Sequence, residues 1–407
     1  MIRSPLTGAH APGPAPILFI AGTRPEAVKL APLIIDQHAN GLFPLLVATG
    51  QQREMLAQAL AAFGLVPDHD LDIMDHGQTP DAVVGRLVPA LAGLFRELRP
   101  GAVVVQGDTA SAFAGAIAAS YARLPLAHVE AGLRTGGGEP FPEEMHRKAI
   151  AQMAGLHLAP TPAAAAALAR EGIAGDSVHI TGNSGIDALH LMQQRLADDA
   201  GLRARTIVQF AEVDTTRPWL LATVHRRENH GRRLEQVLEA LAVLARDAEV
   251  LLPVHPHPAV SGPVRARLSG LRHVHLLPPL DYASFVWAMA RSALVLTDSG
   301  GIQEEAPALG LPVLVLRDST ERREGLGTGN ALLVGTDTGP IIAAARRLIA
   351  DSAARAVMAG PSLPYGQGDS ARRINALLLG LADGRPAVPS WQQNPESWSQ
   401  SAVHHRQ

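Results

Sequence analysis

At 407 residues the chain is too long for one ordinary domain and points to two of roughly 150–200 residues each. Its formal net charge of −3 offers no basic field for nucleic acid or an anionic membrane, so neither is expected as a partner. With no cysteine, disulfides, thiolate zinc sites, iron–sulfur clusters and a cysteine nucleophile are all excluded.

Residues 1–14 are rich in proline and lack an apolar core, which predicts a disordered arm rather than a secretory signal. No window approaches the roughly 18–20 apolar residues that span a bilayer, so a cytoplasmic protein is expected. From there short apolar runs alternate with amphipathic stretches. ILFIAG (17–22) reads as a strand and PEAVKLAPLIIDQHA as the helix after it. LLVATG (45–50), AVVVQGD (102–108), PLAHVEAG (125–132), LHLAPT (156–161) and SVHITGN (177–183) follow, each separated by a helical pattern. Continuous apolar strands alternating with helices predict a parallel sheet covered on both faces.

The stretch 198–216 lacks a strong apolar run and reads as a linker. The alternation then restarts with WLLATVH (219–225), VLLPVH (250–255), VHLLPP (274–279), LVLTDSGG (294–301) and LPVLVL (311–316). The prediction is an α/β protein of two Rossmann-like, doubly wound domains facing a central cleft. Residues 15–198 form the first domain and 199–365 the second, with 384–407 as a flexible tail. In such folds ligands sit at the carboxyl ends of the strands.

The unusual clusters fall at those ends. GTRPE (22–26) brings Arg24, with Lys29 one turn on, to a helix start that favours anions; the same residues would serve a merely capped turn. DSGGIQEE (298–305) places Ser299, Gly300 and Gly301 between a buried strand and a helix. Paired glycines let backbone N–H groups approach a phosphate, and Glu304 and Glu305, read as first-turn residues, offer a carboxylate for a ribose. Capping by Ser299 is the plainer alternative.

Asp108 ends one strand and Glu130 the next. FPEE (141–144) adds Glu143 and Glu144 at a helix start, and VHRREN (224–229) adds His225 from the second half. Carboxylates and a histidine facing a crevice with arginine and lysine make an acid–base set. Asp108 as a helix cap and the glutamates as surface decoration remain the alternative. PVHPHPAV (253–260) has His-x-His spacing, but an extended segment sends the rings to opposite faces and no third ligand is evident, so no metal is expected. No G-x-G-x-x-G follows a strand, and none of Tyr121, Tyr282 and Tyr365 has a lysine four residues on. A dinucleotide cofactor is therefore not expected.

Taken together, GTRPEAVKLAPL, HVEAGLRTG with PFPEEMHR, ITGNSGIDAL, LTDSGGIQEEAPALGLPVLVLRDSTER and LVGTD resemble the non-hydrolysing bacterial UDP-N-acetylglucosamine 2-epimerase family, over about residues 16–383. The resemblance implies a glycosyltransferase-B type fold, with a C-terminal helix at 366–383 returning to the first domain. It also implies a homodimer, and a reaction that needs no cofactor. UDP leaves carbon 1 as the carbon 2 proton is removed, and both then return to a glycal. By position it assigns Asp108, Glu130, Glu143 and His225 to catalysis. It assigns Arg24, Lys29, Ser299, Gly300, Gly301, Glu305 and Arg322, with Phe285 at the uracil, to the UDP-sugar. Asp108, Glu130 and His225 also contact that substrate. The chain departs from the family pattern at Leu280, at Gln52 and at Arg323. Related members act on acetamido-uronic sugars, and a transferase on the same fold is the alternative from another class.

Overall fold

The computed structural model describes residues 15–73, 77–137, 140–360 and 363–383. The arm expected at 1–14 and the tail expected at 384–407 lie outside the described residues. The chain divides into two units, one of residues 1–188 with 365–407, the other of residues 189–364. The division falls inside helix Ser184–Asp198, upstream of the boundary expected at 198. The stretch expected as a linker is folded: helix Ala200–Ile207 is followed by buried Phe210 and Val213.

The first unit holds β1 (Ile17–Ala21), β2 (Leu45–Ala48), β3 (His69–Asp70), β4 (Ala102–Gln106), β5 (Leu126–Val129), β6 (Leu156–Ala159) and β7 (Val178–Ile180). Their order is β3-β2-β1-β4-β5-β6-β7, parallel throughout. The second unit holds β8 (Trp219–Thr223), β9 (Glu249–Pro253), β10 (Val274–Leu277), β11 (Ser292–Thr297), β12 (Val313–Val315) and β13 (Ala331–Leu333). Here the order is β10-β9-β8-β11-β12-β13, again parallel. Helices cover both faces, so central strands such as β1 and β4 are buried along their whole length and need no polar alternation. β3 and β13 are edge strands of two and three residues, too short for periodicity to mark.

In each unit the strand order reverses once, between β1 and β4 and between β8 and β11. At such a switch point the helices leave in opposite directions and open a crevice beyond the strand ends. Helix Ala110–Tyr121 sits low on the first sheet because it is built from alanine and glycine. A Cβ on Gly115 would stand 2.6 Å from Cδ1 of Ile20. Helix Ser370–Ala382 belongs to the first unit, where Asn375 donates to the Leu33 carbonyl at 2.9 Å and accepts from Gln37 at 3.0 Å. Among the described residues no helix is long and apolar enough to cross a membrane.

Asp187 secures the start of that last helix by accepting the N–H groups of Ser370 at 3.3 Å and Ala371 at 2.9 Å. Burial outweighs these bonds and pushes its carboxyl up from 3.8 to about 6. The folded state therefore keeps the proton to higher pH than the unfolded chain does. This group's contribution to stability falls as pH rises from about 4 to about 6. Relative to wild type, Asp187→Asn is expected to be more favourable at about pH 7 than at about pH 4, by up to about 3 kcal/mol. Urea unfolding of both proteins at the two pH values checks this; a gap that does not change with pH would refute it.

Candidate functional site

The first unit presents its polar side chains beyond β1, β4 and β5. After β1 the chain turns into helix Arg24–Ala39, whose leading N–H groups are already engaged. Glu26 reaches back to accept from Gly22 N at 3.0 Å, Thr23 N at 2.7 Å and the Thr23 hydroxyl at 2.8 Å. Arg24 N donates to Gln52 Oε1 at 3.1 Å. This helix start is thus closed: Thr23 and Glu26 form a Thr-x-x-Glu capping box, Gln52 takes the Arg24 N–H, and Pro25 has none. Burial pushes Glu26 up to about 7, against the Thr109 hydroxyl, which donates to it at 2.7 Å, and the Thr23 and Gly22 donors.

Lys29, one turn along the same helix, points to Glu130. Its ammonium pairs with Glu130 Oε1, and both side chains are nearly buried. Gln106, the last residue of β4, donates to Glu130 Oε2, and Asn183 after β7 donates to Oε1 at 3.2 Å. Glu130 itself stands at φ 65°, a left-handed conformation that costs a non-glycine residue about 1–3 kcal/mol. Such strain persists where the surroundings over-determine it, and here three donors do so.

Asp108 follows Gly107 at the end of β4. Arg147 donates to its carboxylate at 2.6 Å and His146 Nδ1 lies 2.8 Å from its carbonyl oxygen. The cap of the next helix is Thr109, which accepts Ala112 N at 3.0 Å, so Asp108 is not a cap. A Cβ on Gly107 would stand 3.8 Å from Glu130 Oε2, which puts the Glu130 carboxylate one residue from Asp108. His128, pushed down to about 4 by burial, is neutral at pH 7. Its Nε2 meets the Gly107 carbonyl at 2.8 Å and holds the turn.

Helix Glu143–Met153 separates the two glutamates of FPEE. Glu144 is buried and lies 3.3 Å from Arg147 Nη1. Glu143 opens the helix half-buried, with no hydrogen bond or ion pair among the described residues.

In the second unit β8 and β11 are in register from Leu220 with Leu294 to Thr223 with Thr297, which sets the turns after them side by side. His225 Nδ1 lies 3.0 Å from Asp298 Oδ1. The His255 ring stacks on His225 with centroids 6.0 Å apart, and burial, with His225 and His257 nearby, pushes His255 below the usual histidine value. His257 turns instead to His230, at 5.5 Å. Both His-x-His rings give Nδ1 to backbone N–H groups, at 3.2 Å each. Among the described residues no group of three or more acidic or histidine side chains is arranged to hold a metal.

Ser299 precedes helix Gly300–Ala308 but makes no capping bond, and the N–H groups of Gly300 and Gly301 have no acceptor among the described residues. This helix start is open where the first unit's is closed. A Cβ on Gly300 would stand 3.0 Å from Cζ of Arg322, whereas one on Gly301 would meet nothing within 4 Å. Arg322 is held by Glu304 at 2.8 Å and Glu321 at 2.8 Å. Burial alone would raise Glu321, but Arg322, Arg226 and Arg317 outweigh it and hold the carboxyl near about 2. The helix begins at Gly300, so Glu304 and Glu305 belong to its second turn rather than its first, and Glu304 is buried. Phe285 is half-buried in helix Tyr282–Arg291.

Several of the anticipated residues therefore meet: Lys29 with Glu130, and Arg322 beneath Gly300. Sequence reasoning missed the residues that hold them, namely Gln106, Asn183, Arg147, Asp298 and Glu321. Only Glu26 carried a readable signal, the capping-box spacing from Thr23.

Comparison with known proteins bears on the family and the fold. A family model described as UDP-N-acetylglucosamine 2-epimerase matches residues 36–379. A curated UDP-N-acetylglucosamine 2-epimerase of Yersinia pestis is 42% identical over 363 residues, 88% of this chain and 96% of the relative. The crystal structure of UDP-GlcNAc 2-epimerase from Neisseria meningitidis bound to UDP-GlcNAc superposes with a TM-score of 0.84 and 38% identity, over 89% of this chain and 99% of that one. A spinosyn rhamnosyltransferase shares the fold alone, at a TM-score of 0.56 and 16% identity over 90% of this chain and all of that one.

The Lys29 contact separates two roles for that residue. If Lys29 secures Glu130, Lys29→Met takes the cation from a buried carboxylate and is expected to lower unfolding free energy by about 3–5 kcal/mol without any ligand. Denaturant unfolding of the ligand-free protein measures it; unchanged stability would assign Lys29 to ligand binding only.

Proposed function

This chain belongs to the UDP-N-acetylglucosamine 2-epimerase family, and we propose that it inverts carbon 2 of UDP-N-acetylglucosamine, interconverting it with UDP-N-acetylmannosamine. The observation that carries this reading is the contrast between the two helix starts. The open amides of Gly300 and Gly301, beside Arg322, suit a diphosphate in a unit that also holds His225. The closed start of the first unit sits among carboxylates fit for proton transfer.

The carbon 2 proton is weakly acidic, so its loss must be coupled to departure of the leaving group. A carboxylate takes the proton, the C–H pair forms the C1–C2 double bond, and the C1–O pair leaves with UDP. UDP oxygen then returns to C1 of the glycal while a proton is delivered to the opposite face of C2. Asp108, Glu130 and Glu143 form the proton-handling set. His225, Arg322 and the helix-start amides stabilise charge on the departing diphosphate. Arg24, Lys29, Ser299, Glu305 and Phe285 complete the UDP-sugar contacts by family position. The reading extends to a cytoplasmic homodimer that supplies a cell-surface polysaccharide precursor, on the strength of the resemblance alone.

In D2O, UDP-N-acetylglucosamine is expected to acquire deuterium at carbon 2 with no acceptor present, as followed by proton NMR. No exchange with this sugar or an acetamido-uronic analogue would overturn the proposal, and transfer only on adding an acceptor would favour a glycosyltransferase. Asp108→Asn and His225→Ala are each expected to slow turnover by about 100-fold or more, the range for losing acid–base help. Gly301→Ala should leave the melting temperature unchanged, because its methyl enters open space, and raise KM by about tenfold, equal to about 1.4 kcal/mol. An unchanged KM would place the diphosphate elsewhere.

A further inference from the structure

The buried carboxylate behind His225 has no assigned role. Asp298 follows β11 directly, and none of its side chain reaches solvent. Its two oxygens divide their work. Oδ2 accepts His225 N at 3.0 Å, Arg226 N at 2.9 Å and Asn229 Nδ2 at 3.0 Å, which ties down the turn after β8. Oδ1 faces the His225 ring, 3.0 Å from Nδ1, with a longer contact of 3.3 Å to His225 N. A carboxylate only accepts, so the imidazole beside it must carry its proton on Nδ1. That leaves Nε2 as the nitrogen available to a ligand, on a side chain that is 41% exposed.

We propose that Asp298 is a positioning residue that holds the Nδ1–H of His225, so that a proton taken from solvent goes to Nε2 and the resulting imidazolium donates from Nε2 to the departing diphosphate. The proposal rests on the epimerase reading for what Nε2 meets, but the tautomer itself does not. Burial alone would raise Asp298, yet the His225 ring and the N–H groups of Arg226 and His225 hold its carboxyl below the usual range. It therefore remains an anion at neutral pH. The charges around the ring are few and accounted for. His255 stacks on it from the loop after β9 and is kept toward neutrality by burial. His257 and His230 pair with each other, and Arg226 is drawn to Glu321 at 3.2 Å. Asp298 is thus the anion in direct contact with His225. Through Oδ2 alone Asp298 would be a loop tie, and Oδ1 is what distinguishes the two roles.

Asp298→Asn separates them. Its amide oxygen can keep the turn contacts, while its NH2 faces Nδ1 and forces the proton to Nε2. Long-range proton–nitrogen NMR is expected to show His225 as Nδ1–H in the wild type and Nε2–H in Asp298→Asn. Turnover should fall about 10²–10⁴-fold with KM changed less than about threefold, as for loss of a general acid–base group. In a His225→Ala background, Asp298→Asn should cost nothing further. A neutral wild-type His225 that carries its proton on Nε2 with Nδ1 bare would overturn the proposal without any variant. So would near-normal turnover in a folded Asp298→Asn, or a further loss on top of His225→Ala. The wild-type spectrum needs no substrate, so absence of carbon 2 exchange with the Nδ1–H tautomer present would count against the epimerase reading and not against the tautomer.

Discussion

A carboxylate taken out of water needs donors, and in the first unit that requirement organises everything around Glu130. An unpaired buried charge costs several kcal/mol, so the fold must bring a cation and hydrogen bonds to one point. Lys29 arrives from the helix after β1, Gln106 from the last residue of β4 and Asn183 from the turn after β7. Those three segments are far apart in sequence. The β1-β4-β5 adjacency of the sheet brings Lys29 and Gln106 to Glu130, and Asn183 reaches it from two strands further along. The left-handed backbone at Glu130 is what aims the side chain into that cluster. The second unit repeats the rule with Asp298, whose donors come from the turn after the neighbouring strand.

Much of this was legible from residues alone. Buried apolar runs alternating with helices specified parallel sheets, and the strand-end rule led to Asp108, Glu130, His225 and the paired glycines. What escaped was each residue's partner. Gln106 and Asn183 are unremarkable in a strand and a turn until strand order places them beside Glu130. Asp298 reads as part of a glycine turn, because its meeting with His225 depends on the register of Thr223 with Thr297 across 74 positions. Arg147 lies one turn past Glu143, a spacing that reveals a shared helix face but not that this face holds Asp108. Lys29 shows the same limit: its charge was visible, its direction was not.

The two helix starts show why a strand followed by a helix is only a permissive anion site. Both follow a buried strand at a switch point, and both carry an arginine nearby. In the first, Thr23 and Glu26 complete a capping box, and Gln52 takes the next donor. In the second, Ser299 leaves the donors uncapped and glycine keeps Cβ atoms away from them. The first two helical positions decide between the outcomes: in one case Gln52 takes the Arg24 N–H and Pro25 has none, and in the other Gly300 and Gly301 stand there. That difference is written in the sequence and becomes meaningful once the cap position is known.

The cations around the open helix start are not idle charge awaiting a ligand. Arg226, Arg317 and Arg322 all engage Glu321, and Glu304 and Glu228 take further contacts from Arg322 and Arg317. Held near about 2, Glu321 stays ionised across neutral pH and keeps these guanidinium groups in place. An arginine that is already ordered loses little side-chain freedom when an anion arrives. Its charge is partly compensated, so on the proposed reading the uncharged amides of Gly300 and Gly301 would carry more of the recognition. In the proposed reaction, fixed dipoles and fixed cations would need no reorganisation as the bond to the diphosphate breaks, which is when stabilisation counts toward rate. A freely moving lysine in the same place would bind the ground state as readily and lose that advantage.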